Sequence, residues 1–380
     1  MSTSTDASTT RVEIPTPVRA LLVGGLIYLF LIGVSSLEEG INIMGSETQE
    51  RLFSSVSNPI AGLCIGILGT VLVQSSSAST AIIVGLVATG NITVDDAVPM
   101  IMGANIGTTV TNTLVSLGHV RHSNEFKRAF AAATVHDFFN VFAVIVLLPL
   151  ELMTGILSKL ATWLTDVLVG SSGSDWESPV KKWVKGPVQW IVDFWEKIGL
   201  SGNWLGTIVV LSGLVIVLAS LTFITKNMRK LVADRVERSI NTVLGKGSGT
   251  VAMMLGMLIT VAVQSSSITT SILIPMSAAG VLSLRNAYPV TLGANVGTTI
   301  TALLAALATS VPAALTVALV HTSFNVVAIL ILYVPPWWRD LPILAAERLA
   351  ELAVRRRIWA VTYVMGFFIV LPLVGLVLLR

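Results

Sequence analysis

Gln74-Ser75-Ser76-Ser77-Ala78-Ser79-Thr80 returns in the second half of the chain as Gln264-Ser265-Ser266-Ser267-Ile268-Thr269-Thr270. A second phrase follows each copy at the same spacing. Gly103-Ala104-Asn105-Ile106-Gly107-Thr108-Thr109 is answered by Gly293-Ala294-Asn295-Val296-Gly297-Thr298-Thr299. A third echo sets His136-Asp137-Phe138-Phe139-Asn140 against His321-Thr322-Ser323-Phe324-Asn325, in a register slightly shorter than the first two. The second copy has lost a few residues in the loop between. One Ser-rich run needs no more than packing, because small hydroxyl residues let membrane helices approach closely. Two runs in register, each followed by the same Gly/Asn/Thr phrase, point past packing to a site built twice.

The surroundings of both runs are apolar. The chain has 380 residues, 53% of them hydrophobic and 12% charged, with a mean hydropathy of +0.82. Soluble domains carry about 25% charged residues, so the composition predicts an all-α polytopic protein with the lipid bilayer as its solvent. The net charge of +3 is too small to suggest nucleic acid, and the Lys and Arg residues cluster in loops, where they report topology. A single Cys64 rules out an intramolecular disulfide.

Five segments follow from hydropathy. Residues 1–17 are polar and Ser/Thr-rich and read as a disordered tail. Residues 18–150 form a first repeat: a span near 20–37, an acidic loop 38–58 with Glu38, Glu39, Glu47 and Glu50, short apolar pieces near 59–73 and 78–90, a span near 97–117 interrupted early by Gly103, Asn105 and Gly107, and a span near 129–150 closing at Pro149. Each short piece falls below the ~20 residues that a spanning helix needs, so the pair is expected to form a re-entrant helical hairpin carrying Gln-Ser-Ser-Ser. Residues 151–204 read as an extracytoplasmic linker with a flexible tip at 170–174. In it Trp190, Ile191, Phe194, Trp195 and Ile198 recur at helical spacing, which suits a helix in the membrane interface or one packed on the bundle. Residues 205–334 repeat the first pattern, with a span near 205–225, a basic loop, a hairpin near 249–280 and spans near 287–305 and 313–334. Residues 335–380 read as a cytoplasmic loop and a last span, near 358–379, outside the duplication.

Loop charges predict opposite orientations for the two repeats. Loop 38–58 is acidic, whereas its partner 226–247 carries Lys226, Arg229, Lys230, Arg235, Arg238 and Lys246. Loop 118–128 is basic, whereas its partner around 306–313 has no charge. Positive loops stay inside, so the repeats are expected to be inverted with the N-terminus inside.

No Lys or Arg lies within either hairpin or Gly/Asn/Thr phrase. Ser and Thr before an apolar helix act as N-caps, and the helix start offers free N–H groups and the positive dipole end to a small oxyanion. Thr108 and Thr111, like Thr298 and Thr301, lie three apart on one helix face. With Gln and Ser oxygens they could enclose a hard monovalent cation, or they could simply bond their own helix carbonyls. Asp137 is the only carboxylate well inside an expected span, and its counterpart is the neutral Thr322. Such a carboxylate marks an ion or proton path, or pairs with His136 or a neighbouring helix end. His136 and His321 read as packed, hydrogen-bonded imidazoles.

At these residues the sequence resembles the type II sodium-dependent phosphate cotransporter family. The likeness rests on both Gln-Ser-Ser-Ser motifs and on the run from Gly103 to Glu151, including Thr111-Asn112-Thr113, Phe126-Lys127-Arg128-Ala129-Phe130-Ala131, Ala133-Thr134-Val135-His136-Asp137 and Leu147-Leu148-Pro149-Leu150-Glu151. It implies import of inorganic phosphate driven by co-transported sodium ions, in the plasma membrane. For phosphate it implies Gln74, Ser75, Ser76, Ser77, Asn105, Ser266, Ser267 and Asn295. For sodium it implies Gln264, Ser265, Ser266, Thr298 and Thr301, with Ser75, Thr108, Thr111 and Asp137 in the first half. Asp137 matches the position that separates electrogenic from electroneutral members. Members of that family often pair, which makes a homodimer an expectation. Residues 151–204 lack the disulfide cysteines of the animal members, and long regulatory tails are absent, as in a minimal prokaryotic-type member. Three rivals stand beside this reading: a Ser/His intramembrane hydrolase, which lacks a Gly-x-Ser-x-Gly context; a channel; and a carrier of another anion such as sulfate or a dicarboxylate.

Overall fold

A bilayer core offers the backbone no water, so a spanning chain must close its hydrogen bonds within each segment. The computed structural model describes residues 15–44, 58–170, 178–244 and 249–379, and every regular element among them is helical. In chain order these are α1 (Thr16–Ile43), α2 (Pro59–Val73), α3 (Ser76–Ala88), α4 (Val94–Gly107), α5 (Val110–Ser116), α6 (Ser123–Thr154), α7 (Ile156–Val169), α8 (Pro179–Lys197), α9 (Gly202–Leu244), α10 (Gly249–Val263), α11 (Ser266–Ala278), α12 (Leu284–Leu307), α13 (Pro312–Leu332) and α14 (Pro336–Arg355). The last span is made of α15 (Ile358–Met365), a π-helical turn over Gly366–Val370, and α16 (Leu371–Leu378).

Six of these are long and apolar enough to cross a membrane: α1, α6, residues 202–228 of α9, α12, α13 and the last span. The chain is an all-helical, multi-pass membrane protein. The short helices α2, α3 and α10 are apolar but fall below spanning length, as the two hydrophobic pieces around each Gln-Ser-Ser-Ser lead one to expect. The acidic positions Glu47 and Glu50, the tail through residue 14 and most of the 170–174 tip lie outside the described residues.

Matching helices pack in matching ways. α2 lies along α4 and α10 along α12, while α1 lies along α9. The first two contacts need glycine. A Cβ at Gly103 would collide with the Leu63 carbonyl oxygen, and one at Gly293 with that of Met253. Gly103→Ala or Gly293→Ala should therefore cost about 1–3 kcal/mol through overpacking, seen as earlier thermal unfolding in detergent. Gly186→Ala, whose Cβ would meet nothing, should leave the transition where it is.

Four expectations change. The span expected near 97–117 is two helices, because Thr108 and Thr109 interrupt it; its equivalent α12 runs unbroken. The Gly/Asn/Thr phrase itself is helical up to Gly107. Thr109 sends its amide to Ile106 O at 3.4 Å, a tighter i→i−3 turn, and the break lies where the first copy has Asp137 nearby and the second has Thr322. Second, α6 does not close at Pro149 but runs to Thr154, ending at Gly155 with φ +62°. Its Glu151 then accepts the amides of Leu157 and Ser158 at 2.6 and 3.1 Å, capping α7. Third, the linker is largely the helices α7 and α8. α8 buries Val184, Val188 and Val192 and leaves Trp190, Phe194 and Ile198 exposed, so it packs on α1 and presents aromatics outward. Fourth, the loop expected after residue 335 is α14, laid against α6.

Candidate functional site

Both serine runs turn on a glutamine in an uncommon conformation. Gln74 and Gln264 have φ +57° and +56°, and they are the only non-glycine residues with positive φ among those described. An L-residue enters this region at a cost of about 1–2 kcal/mol, so the turn must repay it with contacts. The side chains do so identically. The Gln74 amide Nε2 donates to Val71 O at 2.5 Å and that of Gln264 to Val261 O at 2.7 Å, each satisfying a carbonyl freed at the helix end. Gln74 Oε1 accepts from Thr111 at 2.9 Å and Gln264 Oε1 from Thr301 at 2.8 Å.

The next residue starts the following helix. Ser75 and Ser265 are extended (φ −153° and −156°), and their hydroxyls accept the amides of Ala78 and Ile268. One N-cap bond satisfies one first-turn amide and leaves the others free of intrahelical partners. Ser76, Ser77 and Ser266 are buried and Ser267 is half-buried just behind these starts. Thr108 and Thr298 donate to their own helix carbonyls, Ala104 O at 2.8 Å and Ala294 O at 3.0 Å, which leaves lone pairs on both hydroxyls.

The two copies interlock through these helices. The hydroxyls of Thr301 and of Ser77 in the other copy lie 3.4 Å apart, with the Thr301 proton directed to Gln264. Asn112 donates to Thr270 at 2.7 Å and accepts from Ser271 at 3.1 Å. Deeper in, His136 Nε2 donates to Asn295 Oδ1 at 2.5 Å, Asn295 Nδ2 to Asn140 Oδ1 at 2.8 Å, and Asn140 Nδ2 to Asn105 O at 2.8 Å. His321 makes the reciprocal but longer contact with Asn105 Oδ1, at 3.4 Å. Both imidazoles are thus packed and bonded. Asn105 and Asn295 sit inside this inter-copy network. Asp137 does not pair with His136; it accepts from Thr113 and from Tyr363 of the last span.

The expected site residues therefore fall into three places. Gln74, Ser75, Ser76, Ser77 and Thr111 gather at the first turn, and Gln264, Ser265, Ser266, Ser267 and Thr301 at the second, with Thr108 and Thr298 ahead of the bonded threonines in the chain and bonded to their own helices. Asn105 and Asn295 lie between the copies, and Asp137 stands apart against the last span. The turns differ in access: Gln74 is exposed and Gln264 half-buried. Everything at the turns is a neutral oxygen or a helix-start amide, a set suited to a monovalent cation and a small oxyanion. Among the described residues no three His, Cys, Asp or Glu side chains converge as a metal site. Three contacts carried no sequence signal: the Asn112 cross-link, Tyr363, and Arg128, which donates to Ser277 O and Ala278 O at the end of α11. In the register that pairs His136 with His321, its counterpart is Ala313, so the second copy has no equivalent arginine at that position.

A model of the Na+/Pi-cotransporter family matches residues 29–164 and 216–334, which take in both Gln-Ser-Ser-Ser turns and leave out residues 165–215. The chain belongs to this family. Human sodium-dependent phosphate transport protein 2B is 34% identical over 444 residues, covering 93% of this chain and 64% of the relative. The rat protein 2A is 34% identical over 421 residues, covering 92% of this chain and 66% of the relative. The chain thus spans just under two thirds of these relatives' length. No solved structure matches it.

Proposed function

We propose that this chain imports inorganic phosphate together with sodium ions, by alternating access between two inverted halves around the paired Gln-Ser-Ser-Ser turns. The doubled Gln–Thr turn carries the reading: the same strained glutamine, capped helix start and threonine partner occur twice, in a chain whose relatives are named as sodium-dependent phosphate transport proteins. Neutral oxygens supply the cation site, and helix starts supply the anion site without a cationic side chain. Purified protein in liposomes should take up labelled phosphate only under an inward sodium gradient, saturably, and sulfate should not compete. Phosphate flux that ignores sodium would favour a channel, and competition by sulfate would favour another anion.

Contacts among the loops support the inverted arrangement. One group joins Glu38 to Lys181 at 2.9 Å and Ser178 to Leu307 O at 2.5 Å. Another joins Lys127 to Glu351 at 2.8 Å, Arg285 to Asp340 at 2.7 Å, and Arg128 to the end of α11. The end of α5 falls in the second group, with Leu117 against Phe126 and Ala350, while the equivalent end of α12 falls in the first. By charge, the first group faces outside and the second inside. On this reading residues 18–150 and 205–334 are the halves, 151–204 lies outside, the N-terminus lies in the cytoplasm, and the membrane is the plasma membrane. In a Cys64→Ala background, a membrane-impermeant thiol reagent should reach Ser310→Cys and miss Val120→Cys. Labelling of both from one side would overturn the inversion.

Asp137 gives one half a charged oxygen that the other lacks. Asp137→Gly should retain some phosphate uptake, lose one coupled sodium and carry less net charge per phosphate. Current and uptake in the same liposomes measure that ratio. An unchanged ratio in an active variant would make Asp137 structural. A homodimer, as is common in the resembled family, would appear as a doubled mass in detergent by light scattering.

A further inference from the structure

The last span belongs to neither copy of the duplication, yet it reaches into the first. Tyr363 donates its hydroxyl to Asp137 Oδ2 at 2.9 Å, and Thr113 donates to the same oxygen at 3.3 Å. The Thr109 hydroxyl faces the same carboxyl. Asp137 is fully buried, and Oδ1 has no hydrogen-bond partner among the described residues. The Tyr363 ring is fixed by stacking on Phe138 and Phe367 and by the edge of Phe368, with centroids 6.1, 5.6 and 5.8 Å away. Just beyond it the helix widens into the π turn at Gly366–Val370, a rare feature that recurs at functional sites. Past that turn, α16 packs on α2, the helix that ends at Gln74.

These contacts do one mechanical thing. Two hydroxyls on Oδ2 fix the plane of the carboxylate, so Oδ1 points in one direction. The groups facing the carboxyl are hydroxyls, and a buried carboxylate without a positive partner is costly. A hard monovalent cation at Oδ1 would remove that cost, with threonine oxygens close by.

We propose that Tyr363 is a positioning residue for a cation site at Asp137, so that the last span helps set how tightly the co-transported sodium is held. The proposal rests on the sodium-coupled reading of this family member and adds to it a side chain from outside the duplicated halves. Tyr363→Phe keeps the ring and its stacking and removes only the hydroxyl. In purified full-length protein, the sodium concentration that half-maximally raises the unfolding temperature should increase about five- to tenfold, the equivalent of one lost hydrogen bond. The sodium midpoint for uptake should rise in parallel, while the phosphate KM at saturating sodium stays constant. In an Asp137→Asn background the same change should add nothing. Phe138→Leu, which loosens the ring from one side, should move the sodium midpoint in the same direction by less. An unchanged midpoint, an equal shift without the Asp137 carboxylate, or a change confined to phosphate KM would overturn the proposal. Thermal stabilisation by sodium needs no transport, so a protein that binds sodium but moves no phosphate would refute the transport reading and still decide the role of Tyr363.

Discussion

Gln264→Ala should raise the sodium concentration for half-maximal phosphate uptake by at least about fivefold, and Gln74→Ala should raise it by less. Each glutamine supplies one oxygen, held by a threonine at the same distance along the chain, at 2.9 Å in the first copy and 2.8 Å in the second. Each also satisfies a helix-end carbonyl through its amide nitrogen. Truncation removes both bonds and leaves the Thr301 hydroxyl without its acceptor, a loss of about 1–3 kcal/mol when the group stays buried. That range spans roughly five- to 150-fold in affinity. Gln264 is half-buried and Gln74 exposed, so water can replace the lost oxygen more readily at the first turn. Alanine leaves the left-handed backbone strained, whereas glycine does not. Gln264→Gly should therefore match Gln264→Ala in sodium activation but unfold at a higher temperature. Sodium-activation curves and thermal melts on both variants measure the two effects separately. Wild-type sodium dependence in both would remove Gln264 from the cation site.

The duplication was legible because its spacing is kept. With the same interval between glutamine and threonine, the chain forms the same bond twice, and hydrophobic pieces too short to span marked both turns in advance. Helix faces were harder to read. α6 and α12 are largely buried, as membrane helices inside a bundle are, so periodicity could not say that Asn140 would cross to Asn295, nor that Asn112 of α5 would meet Thr270 and Ser271 of α11. Thr298 and Thr301 share one continuous helix, whereas Thr108 and Thr111 stand on either side of a break, and only Thr111 reaches a glutamine, because Thr108 turns back to Ala104 O. The break at Thr108 and Thr109 could not be foreseen from local sequence either, since Thr298 and Thr299 continue a helix. The break lies beside Asp137, whose counterpart in the second copy is Thr322. Arg128 looked like a loop charge and Tyr363 like an ordinary residue of an apolar span; both act through partners far away in the sequence.

Asn295→Leu should be the most damaging single change in the core, and Asn105→Leu should cost distinctly less. Leucine keeps the branching at Cγ and opens no cavity, so the comparison separates hydrogen bonding from cavity formation. Asn295 uses both ends of its carboxamide across the interface between the copies: Oδ1 accepts from His136 at 2.5 Å and Nδ2 donates to Asn140 at 2.8 Å. All three residues are buried. Leucine at 295 would leave the His136 Nε2–H and the Asn140 Oδ1 without partners, and His136 Nδ1 already has none among the described residues. Two orphaned buried groups put the cost at about 2–4 kcal/mol. Asn105 bonds within its own helix, to Ile101 O at 3.1 Å, and holds His321 only at 3.4 Å. Its side chain bridges the copies once and weakly, and its backbone carbonyl would still accept from Asn140 in the variant, so about 1 kcal/mol is expected there. Thermal unfolding in detergent measures both, and the double variant Asn295→Leu with His136→Leu should recover part of the loss, because it removes an unpaired donor. Equal destabilisation at 105 and 295 would mean that the histidine–asparagine contacts are symmetric and that the crosswise network is not what joins the halves.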